Sequence, residues 1–409
     1  MKSCFTICIW VSGIIAICNF ETSAQPFQPP MEDFSSIPIL KWKFEAGNKI
    51  FSSPVFSNGM IYAGGSDSIL HAIDLNTGKQ KWQLHTGGEI RSSAFLENNF
   101  LYLNGGDGII YSLDAANGKI NWTFKTNGEH RYDFADYFNS SPVIANNVLY
   151  FGSGDSCVYA LNAENGKVKW SFKTNGIVHT TPAIYKNKIY FGSLDGNVYA
   201  LQIADGKLVW KFKTVGHDYF PKGEVQGSPT VFDGLVFIGA RDYNFYCLDA
   251  ERGYCHWNKA FSRGWALSAN IYDSTLYIGS ADERVLISAD PATGKEHWNK
   301  KMEFLVFGNN AFTKSMLYVG TTIGKLHGID LKTGEKTWSF QTSNYKKNRY
   351  NFFKEDDSYR DDIYSIIKSN EEFLDAEIVL GGVFSTPLVT AQYIVFTSTE
   401  GAVYCLERQ

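Results

Sequence analysis

Six aspartates recur at matching points of this chain and could form a ring of carboxylates able to bind a metal ion or move protons. Each follows a Gly-Ser or similar step in the same short hairpin turn, at Asp67, Asp107, Asp155, Asp195, Asp242 and Asp282. Asp next to Gly is also the ordinary chemistry of tight turns, where the carboxylate binds its own backbone. We therefore predict that these aspartates are structural.

A second group of side chains has the mixed character of a binding surface. Its members are cationic, aromatic or polar: Arg91, Arg131, Tyr132, Asn139, His179, His217, Tyr219, Lys222, Arg263, Trp265 and Arg349. No pair among them has the spacing of a nucleophile and its base or of metal ligands, so we predict no catalytic, cofactor-binding or metal-binding residue. A cationic and aromatic surface suits a carboxylate ligand or a protein segment added along a strand edge.

The elements that must position these side chains repeat along the chain. A motif of roughly Tyr-x-Leu-Asp-x-x-x-Gly-Lys-x-x-Trp recurs, and the repeat tryptophans are Trp42, Trp82, Trp122, Trp170, Trp210, Trp257, Trp298 and Trp338. The motif is typical of a strand, a turn closed by glycine and a second strand. We predict that all eight tryptophans are structural, because burying an indole stabilises a fold by ~3 kcal/mol or more.

A second recurring step, Ser/Thr-Ser/Thr-Pro or a close variant, marks the start of each unit. These anchors are Pro54, Ala94, Pro142, Pro182, Pro229, Ala269, Ala311 and Pro387. Each unit contains four short strands of alternating character, and four antiparallel strands in a repeat of about 40–45 residues are typical of a propeller blade. Eight anchors predict an all-β fold, an eight-bladed β-propeller of four-stranded antiparallel blades.

The two ends of the chain indicate how the ring closes. The unit that begins at Pro387 is too short to contain a fourth strand, whereas Ile39 to Phe44 is a strand with a tryptophan but no unit before it. We predict that this N-terminal strand pairs with the segment around Val403 to Leu406. A ring closed in this way leaves no unpaired edge between the first and last blades.

Length varies almost entirely in the connections between units. The long ones are Thr123 to Ser141, Thr214 to Ser228 and Gln341 to Thr386. In a propeller such connections share one face with the turns between the second and third strands, and we name it the loop face. Loops held by a rigid scaffold are where binding residues concentrate.

The third connection is long enough to contain structure of its own, an insertion at about 345–384. Tyr359, Ile363, Ile366 and Ile367 fall at helical spacing within it. This pattern predicts a helix near Ser358 to Phe373 whose apolar side docks on the loop face as a lid or a partner-binding arm.

Composition and the N-terminal residues limit the classes to which this protein can belong. The net charge of −4, from 38 basic and 42 acidic residues, gives no footprint for nucleic acid. Residues 1–24 have the basic start, apolar run and small-residue end of a signal peptide, and no later stretch is apolar enough to span a membrane. We expect no lipid anchor at Cys18, because Ala16-Ile17 precedes it where a small residue is needed next to the cysteine. Residues 25–409 are then a single propeller domain.

Four cysteines follow the predicted signal peptide, Cys157, Cys247, Cys255 and Cys405. In a secreted protein they could form two disulfides. Cys247 and Cys405 instead occupy positions that hold alanine in sister units, which favours small core residues. Strand alternation also places Cys247 and Cys255 on opposite faces, and both alternatives stay open.

The whole of this pattern resembles the quinoprotein-like (PQQ-like) eight-bladed β-propeller superfamily, whose blades dock through an Ala-x-Asp-x-x-x-Gly-x-x-x-Trp motif much like Ala72 to Trp82. The resemblance implies either of two functions. One branch contains dehydrogenases that use pyrroloquinoline quinone (PQQ) with Ca²⁺, commonly against a disulfide between adjacent cysteines, a pair this chain lacks. The other contains non-enzymatic propellers similar to the BamB-type periplasmic scaffolds of outer-membrane protein assembly.

These observations favour a non-catalytic scaffold. We expect a monomer, periplasmic or secreted, that binds a protein partner through the loop face, with a role in cell-envelope assembly, and that needs no cofactor. The alternative is an alcohol or sugar dehydrogenase dependent on PQQ and Ca²⁺.

Overall fold

Alternating apolar and polar residues, interrupted by tight turns, fold the chain into a ring of eight four-stranded antiparallel sheets. The computed structural model describes residues 31–409, so the predicted signal peptide lies outside the described range. The predicted eight-bladed propeller is confirmed. Within those residues, no helix is long and apolar enough to cross a membrane.

The first four blades follow one another along the chain, each running from its inner to its outer strand. Their strands are β2 (Val55–Ser57), β3 (Met60–Gly64), β4 (Ile69–Asp74) and β5 (Gln80–His85); β6 (Phe95–Glu97), β7 (Phe100–Asn104), β8 (Ile109–Asp114) and β9 (Ile120–Lys125); β10 (Val143–Ala145), β11 (Val148–Gly152), β12 (Cys157–Asn162) and β13 (Val168–Lys173); and β14 (Ala183–Tyr185), β15 (Lys188–Gly192), β16 (Asn197–Gln202) and β17 (Leu208–Lys213).

The remaining blades continue the pattern, and the last one borrows the N-terminal strand. Their strands are β18 (Thr230–Phe232), β19 (Leu235–Gly239), β20 (Asn244–Asp249) and β21 (Cys255–Ala260); β22 (Ala266–Tyr272), β23 (Thr275–Ser280), β24 (Val285–Ala289) and β25 (Glu296–Lys301); β26 (Ala311–Phe312), β27 (Met316–Thr321), β28 (Lys325–Asp330) and β29 (Lys336–Gln341); and β30 (Leu388–Val389), β31 (Tyr393–Ser398), β32 (Ala402–Glu407) and β1 (Ile39–Glu45).

Ring closure follows the prediction. Strand β1 pairs antiparallel with β32, with Ile39 opposite Glu407 and Phe44 opposite Val403. The register shifts once, between Leu40 and Trp42.

Hydroxyl side chains join neighbouring blades around the central channel. At five junctions the residue just before the anchor donates its backbone N–H to the hydroxyl of the equivalent residue in the next blade. The bonds run from Thr386 to Ser53, Ser53 to Ser93, Ser93 to Ser141, Ser141 to Thr181 and Thr181 to Ser228, at 2.9–3.0 Å. The near-constancy of this position in the sequence thus reflects the joining of blades.

The repeat tryptophans join the outer parts of neighbouring blades. Trp82 Nε1 donates to the Ala115 carbonyl of the next blade at 3.2 Å, and Trp210 Nε1 donates to Ala250 O at 3.0 Å. The indole of Trp82 also lies against Gly118, whose φ is +75° and where an added Cβ would meet the ring at 2.6 Å. Glycine is therefore required in this turn both for its backbone conformation and for the approach of the ring.

The last junction uses a different acceptor, because blade 8 is built from both ends of the chain. Trp338 Nε1 donates to the carbonyl of Phe34 in the N-terminal segment before β1. Phe34 is 2 % exposed, its N–H donates to Tyr318 Oη at 2.8 Å, and the Arg408 guanidinium lies 4.2 Å from its ring. The N-terminal segment thus replaces the docking turn that blade 8 lacks.

The insertion is partly helical, but its apolar stripe does not form the single helix that the spacing predicts. They are α1 (Ser343–Asn348), a 3₁₀ turn (Arg349–Asn351), α2 (Ile363–Ile366) and α3 (Asn370–Val379). The prediction of one helix over Ser358 to Phe373 is therefore wrong, because the longest helix begins at the end of that range, capped by the Ser369 hydroxyl. Ile363 and Ile367 are buried, whereas Ile366 is 46 % exposed.

Cys157, Cys247, Cys255 and Cys405 are all free thiols, and only Cys255 is partly exposed. The disulfide alternative is not realised. Burial raises the pKa of the Cys247 and Cys405 thiols to about 12, so they behave as small apolar core residues.

Candidate functional site

Aromatic rings close the central channel at the loop face. Phe51, Tyr137, Phe307 and Phe384 are 7 % exposed or less, and their ring centroids lie 5.1–5.7 Å apart in five contacts. We name this set the aromatic plug. The insertion extends it with buried Ile378 and Leu380.

The connection from 126 to 142, between β9 and β10, is held by a buried histidine that stands just before β14. His179 Nδ1 lies 2.8 Å from Asp136 Oδ2, and its Nε2 lies 2.6 Å from Glu129 Oε1. Burial opposes the charged imidazole, but the hydrogen bonds and charges of the two carboxylates outweigh it and raise the pKa of His179 to about 9. The same pairing overcomes the effect of burial on Asp136 and holds its pKa below the usual range. His179 is therefore cationic at neutral pH and fixes this connection.

A buried arginine holds the same connection from the other side. Arg241 is fully buried and its guanidinium binds the Asp133 carboxylate, with Nη2 to Oδ1 at 3.1 Å. Rings of Tyr132, Phe220 and Trp265 surround it at 5.4–5.7 Å. A charge that is paired and enclosed by aromatic faces is tolerated inside a protein, and it fixes the loops that contact it.

The turn aspartates bond within and between blades. Asp155 Oδ1 accepts the N–H of Cys157 at 2.9 Å, which closes its own turn, and Oδ2 accepts the N–H of Asn127 from the preceding blade at 3.0 Å. The corresponding bonds recur at Asp107, where Ile109 N donates at 2.9 Å and Gly87 N at 2.8 Å. These carboxylates hold the loop face together.

Two acids, Glu377 buried and Asp357 partly buried, anchor the insertion. Asp357 binds the ammonium of Lys325 and the hydroxyl of Tyr345. Glu377, on α3, accepts the Thr322 hydroxyl at 2.9 Å and is 6 % exposed. The insertion is thereby tied to blade 7 at two points.

A cleft of about 220 Å³ remains open between α3 and the first two blades. On the propeller side it is lined by Lys49, Arg91 and Arg131, and on the helix side by Glu371 and Asp375. Phe51, Phe134, Tyr137, Leu374 and Ile378 supply apolar surface between these walls.

A second cleft of about 330 Å³ lies on the rim between β25 and β29. Four of its five charged residues pair with one another, since Lys300 binds Glu335 and Lys336 binds Glu303. The rim cleft thus presents little unpaired charge to a ligand.

The predicted binding residues fall into separate groups. Arg91 and Arg131 line the cleft, whereas His217, Tyr219 and Trp265 belong to the aromatic cluster around Arg241, with the His217 ring 4.1 Å from that of Tyr243.

The other predicted residues differ in accessibility. Asn139 and His179 are buried, Tyr132 is 37 % exposed, and Lys222 and Arg263 are exposed. Arg349 lies apart at the base of the insertion, 3.5 Å from Asp357.

Sequence reasoning did not identify Arg241, Glu377 or Tyr137. Arg241 had a visible signal, because it stands directly before the turn aspartate, where most sister units have Ser, Gly or Ala. Glu377 and Tyr137 lie in connections without a repeat equivalent, so comparison among units gave no signal for them.

The described residues do not fit pyrroloquinoline quinone and Ca²⁺. The aromatic plug fills the space over the channel, and the two most enclosed arginines there, Arg91 and Arg241, already bind Glu89 and Asp133. A planar tricarboxylate needs space and free cations. Among residues 31–409, no three His, Cys, Asp or Glu side chains are grouped so as to hold a metal ion.

Fold and site together define a PQQ-like propeller whose loop face carries a partly helical insertion. The chain matches the family described as outer membrane protein assembly factor BamB over residues 40–95, 86–219 and 213–355, and it belongs to that family.

Solved structures share the fold at low identity. BamB from Moraxella catarrhalis superposes with a TM-score of 0.67 at 14 % identity, over 91 % of this chain and 100 % of that one. A quinohemoprotein alcohol dehydrogenase from Pseudomonas putida HK5 also gives 0.67 at 14 % identity, over 90 % and 76 % of the two chains. At such identity the likeness shows the fold alone.

A curated relative is similar over a short stretch. Quinoprotein alcohol dehydrogenase PedH of Pseudomonas putida (strain KT2440) is 37 % identical over 99 residues, which cover 22 % of this chain and 16 % of the relative. The chain therefore spans less than a fifth of that enzyme in the comparison.

Proposed function

We propose that this protein is a non-catalytic scaffold of the cell envelope that binds a protein partner through its loop face. Membership of a family described as an outer membrane assembly factor supports this role, and we place the protein in the periplasm or outside the cell, as a monomer.

The observation that carries the proposal is the exposure of large apolar side chains on the long connections. Val215, Tyr219 and Tyr364 are 75 %, 77 % and 74 % exposed, the highest values among the large hydrophobic residues described. Tyrosine is enriched in protein interfaces, where it contributes a large contact area at low entropic cost. Because the loops beneath are fixed by Arg241 and His179, a partner would meet a preorganised surface.

Affinity capture from cell-envelope extracts tests the proposal. We expect the wild-type protein to retain one or more partners that a Tyr219→Ser/Tyr364→Ser variant loses. The matched control is Tyr254→Ser, because Tyr254 is 48 % exposed in the turn between β20 and β21 at the opposite face. Equal capture by both variants would contradict binding through the loop face.

A further inference from the structure

The cleft between α3 and the first two blades has opposite charges on its two walls, and they do not neutralise each other. On the propeller wall Arg91 binds Glu89, but Lys49 and Arg131 have no carboxylate within ion-pair distance among residues 31–409. Arg131 donates only to the carbonyl oxygen of Phe134, at 2.6 Å. On the helix wall Glu371 and Asp375 likewise have no cationic partner in the described chain.

The cationic wall also carries a repulsive pair. Partial burial, and then the charge of Arg91, lower the pKa of Arg131. The nearby carboxylates of Asp136 and Glu89 act in the opposite direction, and a further carboxylate beside Arg131 would favour its charged guanidinium.

Two residues of the cleft lining have a hydroxyl group without a hydrogen-bond partner among the described residues. Tyr137 is 2 % exposed, and its hydroxyl oxygen is buried without a hydrogen-bond partner among the described residues. The Ser66 hydroxyl, also in the cleft lining, is in the same state. Buried hydroxyls are almost always satisfied, so each of these two groups has capacity for one further polar contact beside the cleft.

We propose that the cleft binds a short extended segment of the protein partner in which an acidic and a basic residue flank an apolar one. The carboxylate would meet Arg131 and Lys49, the basic group would meet Glu371 and Asp375, and the apolar side chain would contact Leu374 and Ile378. Phe134, which also lines the cleft, is 46 % exposed.

This inference specifies the partner of the proposed function and is tested separately from it. The probes are the capped tripeptides Ac-Glu-Leu-Lys-NH₂ and Ac-Lys-Leu-Glu-NH₂, titrated calorimetrically into the folded protein at low salt. We expect millimolar affinity for at least one of them, with at least tenfold weaker binding of Ac-Gln-Leu-Gln-NH₂. Arg131→Gln and Asp375→Asn should each weaken the preferred peptide by a similar factor, because each removes one of the two charge contacts.

Arg252→Gln is the matched control, since Arg252 is an exposed arginine in the turn between β20 and β21 at the opposite face. It should bind the peptides like the wild type. The inference would be overturned if the neutral peptide bound with equal affinity or if no peptide bound at all. It would also be overturned if Arg131→Gln and Arg252→Gln had equal effects. If free leucine bound as tightly as the tripeptide, the inference would be wrong, and the ligand of the cleft would be a small zwitterion instead of a partner segment. Loss of peptide binding with intact partner capture would leave the proposed function standing.

Discussion

Glu377, on helix α3 of the insertion, makes the stability of the fold depend on pH. Burial raises its pKa to about 8, and the hydrogen bond from Thr322 and the charge of Arg284 offset this only in part. An unfolded glutamate ionises near pH ~4.3. Between these values the folded protein holds a proton that the unfolded chain has released, so stability falls as pH rises from about 4.5 to 8.

Glu377→Gln should remove this dependence, because the amide is neutral at every pH and its oxygen can still accept from Thr322. We expect the variant to be more stable than the wild type at pH 8, by roughly 2–4 kcal/mol, and nearly equal at pH 4.5. Scanning calorimetry across this range measures the difference. Glu371→Gln, an exposed change on the same helix, should follow the wild-type profile. Parallel profiles for Glu377→Gln and the wild type would refute the assignment.

His179 gives the folded protein a second pH dependence, in which the histidine stabilises the fold while it is protonated. Its folded pKa of about 9 lies above the unfolded value of ~6.5, so its stabilisation is complete below pH 6.5 and is lost as pH rises through 9. His179→Gln leaves the Asp136 and Glu129 carboxylates buried without a cation, which should cost about 3–5 kcal/mol at pH 6.

Denaturant titrations at pH 6 and pH 9.5 measure this cost, and the gap between wild type and variant should shrink at the higher pH. His85→Gln, at an exposed position of β5, should stay within about 0.5 kcal/mol of the wild type at both. A gap independent of pH would show that the histidine acts only by packing.

Residue roles were predictable where their partners are local. The structural role of Asp107 follows from bonds within its own turn, which sequence shows directly. Asp133 and Asp136 find their partners 108 and 43 residues away, at Arg241 and His179, so no local pattern could connect them.

Elements show the same division. The blades repeat, so eight copies of one pattern were enough to predict both the number of strands and the closure of the ring. The insertion occurs once, and spacing of Ile363, Ile366 and Ile367 alone predicted its helix. A better signal was present, because Ser369 and Glu372 form a Ser-x-x-Glu start to α3, with the Ser369 hydroxyl accepting the Glu372 N–H at 3.2 Å.

The N-terminal segment should stabilise the ring beyond the strand it supplies. Phe34→Ala keeps the carbonyl that accepts from Trp338 but removes the ring packed on Tyr318, with centroids 5.9 Å apart. We expect a loss of about 3–5 kcal/mol, measured as a lower denaturant midpoint. Ile37→Ala, four residues before Lys41 in the same segment and 51 % exposed, should change little. Equal midpoints for the two variants would mean that the segment is dispensable for docking.

The whole molecule combines an architecture shared by scaffolds and quinone enzymes with a channel mouth of its own. Sequence predicted the ring and the face that carries the long connections. It did not predict the aromatic plug, because Phe51, Tyr137, Phe307 and Phe384 come from four distant points of the chain and meet only through the fold.

The plug leads to a prediction about the folded protein as a whole. Quinone binding over the channel would require displacing four packed rings and freeing Arg91 and Arg241 from their carboxylates. We therefore expect calorimetric titration of the folded protein with pyrroloquinoline quinone and Ca²⁺ to show no binding at micromolar concentrations. Micromolar affinity would mean that the aromatic plug can open, and it would restore the dehydrogenase alternative. Alcohols and sugars would then be tested as substrates. A Phe384→Ala variant distinguishes two reasons for the absence of binding. If the variant gains affinity for the quinone, the aromatic plug excludes it. If the affinity does not change, the propeller lacks the side chains needed to hold a quinone.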